Sequence, residues 1–338
     1  MTARPRLSHS SSRRRWRLVA LFAALAAMIA FAAACGGDDD DASGGTDTAA
    51  ASPAAGTSAT APAKAAAFPY TFTDSTGTQV TFTEAPKRII SYSPGATEVL
   101  FAVGAGPQVI ATDEFSDYPA AAKALPHVQY SKPSPEPALA MKPDLVIMAG
   151  RQEGQVPQFR SLGMKVVYLK EPSDIPAVFE QIRNVGRITG HGDEAIALVA
   201  SLEGRLEKVR GTVATKTESP TVFYEITPDL FTVSPNSFVG NLLTIAKAKN
   251  VVTETTNAFP QVSVETVLKA DPAVILLADG GDDGGQTPEA VKARPGWDKV
   301  KAVRDGKVVV IDSDTFSRPG PRVIDALEQL VTVLYGSR

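Results

Sequence analysis

The chain of 338 residues contains one cysteine, three histidines and two tryptophans. A single cysteine excludes a disulfide framework, and so few histidines exclude the common Cys/His zinc sites. An excess of positive charge is also missing, since 34 Lys and Arg face 37 Asp and Glu. Six of the arginines and none of the acids precede residue 35, so the rest of the chain carries 28 basic against 37 acidic residues. That remainder, near −9, lacks the concentrated cations that binding to nucleic-acid phosphates requires. No phosphate-binding loop of the G-x-x-x-x-G-K-S/T type, no G-x-S-x-G elbow and no H-E-x-x-H helix occurs. His127 follows a proline and His191 lies between two glycines, settings that suit solvated rather than catalytic imidazoles. An enzyme is therefore not expected. With 43% apolar residues, a wholly disordered chain is excluded too.

The first 34 residues combine Arg4, Arg6, Arg13, Arg14, Arg15 and Arg17 with an uncharged apolar run, Leu18 to Ala34. As a helix that run would be about 25 Å long, slightly short of a hydrocarbon core of roughly 30 Å. The layout is that of a signal peptide. It ends at Ala32-Ala33-Ala34-Cys35, which resembles the lipobox of bacterial lipoproteins. That resemblance implies lipidation of Cys35 and anchoring on the extracytoplasmic face of the bacterial cell membrane; Ala32 stands where the family usually has Leu. An uncleaved membrane anchor is the alternative. Residues 36–67 hold no aromatic, Leu, Ile or Val, so they cannot offset their ordering entropy and read as a disordered tether. Its root-mean-square span is about 30 Å.

From Phe68 onward the sequence carries the signals of α/β structure. Tyr70–Thr73 and Gln79–Thr83 alternate in polarity about a turn ending at Gly77, predicting a β-hairpin. Short apolar strands are predicted at Arg88–Tyr92, Val109–Thr112, Leu145–Ala149, Val166–Leu169, Val222–Ile226, Val274–Ala278 and Val308–Ile311, alternating with helical stretches. Such alternation implies parallel sheets covered by helices, in two Rossmann-like lobes. Ile196, Val199, Leu202, Leu206 and Val209 recur at helical spacing, so Gly192–Thr215 reads as one long bridging helix of about 33 Å. The expected division is an N-terminal lobe over 68–190, the bridge over 191–215 and a C-terminal lobe over 216–338, with a ligand cleft between the lobes.

An internal repeat supports this division. The segment Glu136 to Ile147 aligns without a gap on Glu265 to Leu276, each with Leu at +3, Pro at +7 and a strand from +9. The Leu is expected to face inward and the Pro to end a short helix. Ser93-Pro94 and Ser234-Pro235 form a second pair, each read as a helix N-cap followed by Pro.

Together these segments resemble the periplasmic-binding-protein family for cobalamin and ferric siderophores, the solute receptors of ABC importers. The similarity runs from Lys87 to Arg338. It is carried by Arg88-Ile-Ile-Ser-Tyr-Ser-Pro-Gly-Ala-Thr-Glu98, Ser116-Asp-Tyr-Pro119, Lys142-Pro-Asp-Leu-Val146, Pro260-Gln-Val-Ser-Val-Glu265, Trp297, Gly306-Lys-Val308 and Arg318-Pro-Gly-Pro-Arg322. It implies a monomeric receptor that hydrolyses nothing, captures a metal chelate and delivers it to a permease driven by a separate ATPase. The protein itself needs no cofactor and no metal site, because the metal arrives already chelated. A bare metal-ion receptor would need more histidines than the two outside the leader. A purely adhesive lipoprotein would leave the repeated glutamates unexplained.

The resemblance also assigns residues. Glu136 and Glu265 match the positions that dock each lobe on permease arginines. Ligand contacts are expected from Tyr92, Ser93, Phe115, Tyr130, Arg151, Tyr224, Phe259, Asp314, Phe316 and Arg318, on loops that follow strands. In the cobalamin branch, contacting aromatics fall on Phe115, Tyr130 and Phe259, and a contacting stretch on Asp314 to Arg318, where Thr315 and Ser317 depart from the pattern. Siderophore branches use arginine clusters, to which Arg151 and Arg318 contribute here; Arg322 is expected to pack structurally. Cobalamin leads, with a ferric siderophore or haem as the alternative.

Overall fold

A computed structural model describes residues 68–253, 255–280 and 285–336. The expected signal peptide, lipidation at Cys35 and tether fall on residues outside those described. The predicted hairpin forms from β1 (Tyr70–Thr73) and β2 (Gln79–Phe82), paired antiparallel. The Asp74 carboxylate pins it to the body, accepting from the amides of Thr76 and Tyr168 at 2.9 Å and from Arg160 at 2.5 Å.

The first lobe then alternates β3 (Ile89–Ser91), α1 (Pro94–Ala102), β4 (Val109–Asp113), α2 (Ala120–Lys123), β5 (His127–Val128), α3 (Pro135–Ala140), β6 (Leu145–Ala149), α4 (Val156–Ser161), β7 (Val166–Leu169) and α5 (Ile175–Thr189). Its five parallel strands run in the order β5-β4-β3-β6-β7. Strands covered on both faces need apolar side chains throughout, and all of Leu145–Ala149 is buried.

Helix α6 (Gly192–Ala214) follows, 23 residues and hence about 35 Å long. Ala195, Val199, Leu202, Leu206, Val209 and Val213 form its buried stripe. It starts hard against α5, where a Cβ on Gly186 would lie 2.4 Å from that of Ala195. Glycine is the residue that permits this approach.

The second lobe comprises β8 (Thr221–Glu225), α7 (Phe238–Ile245), β9 (Lys249–Asn250), α8 (Val264–Ala270), β10 (Val274–Leu277), α9 (Pro288–Lys292), α10 (Lys301–Arg304), β11 (Val308–Val310), α11 (Ser313–Ser317) and α12 (Val323–Tyr335). Its parallel sheet is ordered β11-β10-β8-β9. The order repeats that of β7-β6-β3-β4, so the second lobe is the first without a fifth strand. Local geometry repeats as well. Lys142 and Asp271 occupy the same place before the repeated prolines, and both are left-handed, with φ of 49° and 41°. The amides of Asp144 and Ala273, equivalent again, donate to the carbonyls of Arg88 and Thr221 at 3.0 and 2.8 Å.

Two expectations need correction. Leu139 at +3 faces solvent, 45% exposed, and Ala138 beside it enters the core instead. A helix of six residues has room for few inward positions, and the smaller side chain occupies one of them. In the second lobe Ser237, not Ser234, caps the helix, its side chain accepting from Gly240 at 3.0 Å. Ser234 and Pro235 form the preceding turn, with Ser237 donating to the Ser234 carbonyl.

One apolar core runs from the inner face of the first sheet through α5 and α6 to β8, α7 and α12, while each lobe has a second core on its outer face. The lobes therefore share buried surface along α6. That sharing resists large relative motion, because separating them would expose apolar side chains to water. The described residues belong to one compact unit that holds all three cores, so a fragment from residue 68 retains every one of them.

Candidate functional site

In open parallel sheets, ligands bind beyond the carboxyl ends of the strands. Here loops from both lobes meet around a cavity of about 180 Å³, lined among others by Ser93, Tyr130, Gly150, Glu171 and Gln181 of the first lobe and Arg318 of the second.

Tyr130 is held at both ends of its peptide unit. Its amide donates to Glu114 at 2.6 Å, and its carbonyl accepts from Gln152 Nε2, which also reaches the Tyr92 carbonyl. The ring meets Phe115 edge to face, centroids 5.7 Å apart. Phe115 is placed by the turn after β4, where buried Asp113 accepts from the Phe115 amide at 2.9 Å and from Ser116 Oγ at 2.5 Å. Burial pushes the Asp113 carboxyl above its ordinary range, and these hydrogen bonds offset part of the shift. Phe115 is left 51% exposed and Phe259, on the second lobe, 48%.

Phe231, also exposed, lies on the same short ribbon as Phe259, where Thr232 donates to the Pro260 carbonyl and Phe231 bridges Gln261. Sequence reasoning passed over Phe231, although an aromatic on the loop after a strand is the signal that selected the others. Exposed aromatic faces offer a large bound ligand contact area at low entropic cost.

Three expected contacts prove to be core residues. Tyr92 is completely buried, edge-on to Phe159 at 5.5 Å, with its hydroxyl donating to the Ser134 carbonyl. Tyr224 and Phe316 are buried in the core shared by the lobes. Tyr92 and Tyr224 sit at or beside a strand's carboxyl end, but their side chains point into the layer between sheet and helices rather than the cleft. Burial raises both phenols well above the usual range, so they stay protonated.

Arg318 lines the cavity, yet its guanidinium is already matched. It lies 2.6 Å from Asp117, 2.6 Å from Asp314 and 3.7 Å from Glu98. Arg322 grips Glu98 with two bonds of 2.6 and 2.9 Å, stacks on Tyr118 at 4.3 Å and reaches Asp312 at 3.5 Å. This cluster straps the lobes together with two cations against four carboxylates. Arg151, by contrast, is exposed and forms no ion pair among the described residues.

Further acids sit at strand ends. Glu171, two residues beyond β7, is exposed on the cavity wall; lost hydration raises its carboxyl, and Arg151 partly opposes the shift. Asp279, two residues beyond β10, is pushed up to about 6, chiefly by burial and then by Glu225. Neither oxygen of Asp279 meets a hydrogen-bond partner among the described residues. Glu225 is itself matched by Arg294 through two bonds of 2.6 Å. Among the described residues no group of three or more His, Cys, Asp or Glu is arranged to hold a metal ion.

Glu136 and Glu265 are exposed in the first turns of α3 and α8, the helices that lead into the equivalent strands β6 and β10.

The model of the periplasmic binding protein family matches residues 89–315. The chain belongs to this family. Among its relatives is YvrC of Bacillus subtilis, an ABC transporter substrate-binding lipoprotein, 28% identical over 84% of this chain and 91% of its own. The vitamin B12-binding protein of Pectobacterium carotovorum is 31% identical over 74% and 88%. The periplasmic haem-binding protein RhuT of Roseiflexus matches in structure with a TM-score of 0.67 at 27% identity, covering 74% of this chain and 98% of that one. The protein is thus a solute-binding protein of the ABC transporter class, with the family's two-lobed α/β fold, and its relatives are named for binding rather than catalysis.

Proposed function

We propose that this periplasmic binding protein captures a metal chelate, foremost a corrinoid such as cobalamin, and hands it to an ABC permease. The observation that carries the reading is the set of aromatic side chains exposed on loops of both lobes, Phe115 on one and Phe231 and Phe259 on the other, with Tyr130 on the cavity wall, beside a cluster in which Arg318 and Arg322 are outnumbered by carboxylates. Aromatic faces supply contact area for a broad ring, and unmatched acids favour a ligand without net negative charge. A cavity of about 180 Å³ is smaller than drug-sized pockets of roughly 300 Å³ and above, so a corrinoid would lie across the lips with only one edge inside. The chelate brings its own metal. Arg151, exposed and without an ion pair among the described residues, is the observation that favours the second reading, a ferric siderophore or haem.

Delivery follows from Glu136 and Glu265. Two exposed carboxylates at equivalent places on the lobes present a pair of contacts whose spacing depends on lobe separation, so permease arginines would read geometry as well as charge. Lipidation at Cys35, with residues 36–67 as tether, would keep the receptor near its permease while letting it turn over the membrane.

Isothermal titration of the fragment from residue 68 with cyanocobalamin, ferric siderophores and haem tests the reading. Trp297 is buried in the outer core of the second lobe, so its fluorescence is a poor reporter of the cleft. A saturable heat of binding with cyanocobalamin is expected. Binding of an amino acid or sugar in place of every chelate would overturn the proposal.

A further inference from the structure

The cavity wall carries one acidic group that no part of the fold uses. Glu171 follows β7 and lies on the wall with Tyr130, Gly150 and Gln181. Its carboxylate makes no hydrogen bond and no ion pair among the described residues. Space is kept for it by Gly150, which has φ of +60° and whose Cβ, were there one, would come to 3.0 Å from Glu171 Oε2. An acid serving the fold would have a partner, as Asp74 and Glu98 do.

We propose that Glu171 is a specificity-determining residue of the cleft, repelling anionic chelates and accepting hydrogen bonds from a neutral or cationic ligand that carries amide or amine groups. The inference rests on the reading of the cleft as a chelate site and adds the charge class of the chelate. Its physical basis is the shortage of free cations around the group. Arg318 is taken up by Asp117 and Asp314, Arg322 by Glu98, and Arg294 by Glu225, which leaves Arg151 as the cation acting on Glu171. A polyanionic ferric catecholate, or haem with its two propionates, would bring negative charge against an acid on the cavity wall, at a separation well inside the Debye length. The primary amides around a corrin ring would instead donate to it. Gln181, on the same wall, supplies a neutral partner for the remaining polar edge.

The test compares the wild-type fragment with Glu171→Gln and with Glu194→Gln, an exposed acid at the start of α6 that controls for net charge. Each is titrated with cyanocobalamin, a ferric tris-catecholate and haem. Glu171→Gln should tighten the tris-catecholate by about three- to tenfold, the size of a unit charge acting at close range through a partly screened cleft. It should leave cyanocobalamin at or somewhat below wild-type affinity, and Glu194→Gln should change nothing by more than about twofold. Unaltered thermal unfolding would show that Glu171→Gln folds normally. If Glu171→Gln leaves the tris-catecholate within about twofold of wild type, or if wild type prefers the tris-catecholate, the assignment of Glu171 falls while the chelate reading stands. If neither protein takes up any of the three, both fall.

Discussion

Arg322→Met tests the strap across the lobes most directly. The Glu98 side chain is only 2% exposed, and Arg322 holds both of its oxygens. Removing the guanidinium leaves a carboxylate out of water, and breaking such a buried pair typically costs about 3–5 kcal/mol. Arg318, 3.7 Å from Glu98, stays behind and recovers part of that, so a loss of about 2–4 kcal/mol is expected. For a body of this size each kcal/mol moves the midpoint by roughly 2–4 °C, which places the drop near 5–15 °C. Urea and thermal unfolding of the fragment from residue 68 would measure it, with Glu98→Gln and the double variant completing a cycle. The double variant should be more stable than Arg322→Met, because no unpaired charge is left inside. A loss under about 1 kcal/mol, or strictly additive effects in the cycle, would refute the argument that the strap is a buried, coupled pair.

Other outcomes follow from the same geometry. Reversing both acids proposed to dock the permease, Glu136→Arg with Glu265→Arg, should leave ligand affinity within about twofold and abolish uptake in cells, since both are exposed and neither lines the cavity. Transport surviving that change would remove them from the permease contact. Phe115→Ala and Phe259→Ala should each weaken corrinoid binding about tenfold while shifting stability by less than about 0.5 kcal/mol, whereas Tyr92→Ala, in the core, should cost about 3–5 kcal/mol. The reverse pattern would put Tyr92 in the cleft. Asp279 has a folded-state pKa of about 6 against an ordinary 3.8, so the folded protein binds the extra proton and loses stability as pH rises from about 4 through 6. Asp279→Asn should therefore stabilise the fragment at pH 7.5, by about 1–2 kcal/mol once solvent screening is discounted, and leave it unchanged near pH 4. Equal effects at the two pH values would contradict the shift.

Strands Leu145–Ala149 and Val166–Leu169 were legible to the residue because strands buried on both faces must be continuously apolar. The long helix was legible because one stripe had to stay inward over six turns. The edge strands His127–Val128 and Lys249–Asn250 went unseen: two residues paired on one side need no apolar pattern. The repeat could be read because proline and the strand behind it leave marks in any sequence, yet the left-handed Lys142 and Asp271 at its heart carry none.

At the site the limit is of another kind. Aromatics near strand ends were visible as Tyr92, Phe115, Tyr130, Tyr224 and Phe259, but a strand end borders both the core and the cleft, and only the side chain's direction separates Tyr92 from Phe115. Charge was visible as counts of residues, while its availability was not. Arg318 and Arg151 look alike in the chain. Folding brings Glu98 and Asp117, some two hundred residues away, against the first and leaves the second without an ion pair among the described residues. The amino-acid order by itself determined the layered lobes, their repetition and the bridge, since these depend on periodicity within short segments. Which carboxylates neutralise which arginines, and so what charge the cleft offers a ligand, was decided by tertiary structure, because ion pairing depends on distances that only the packed lobes define.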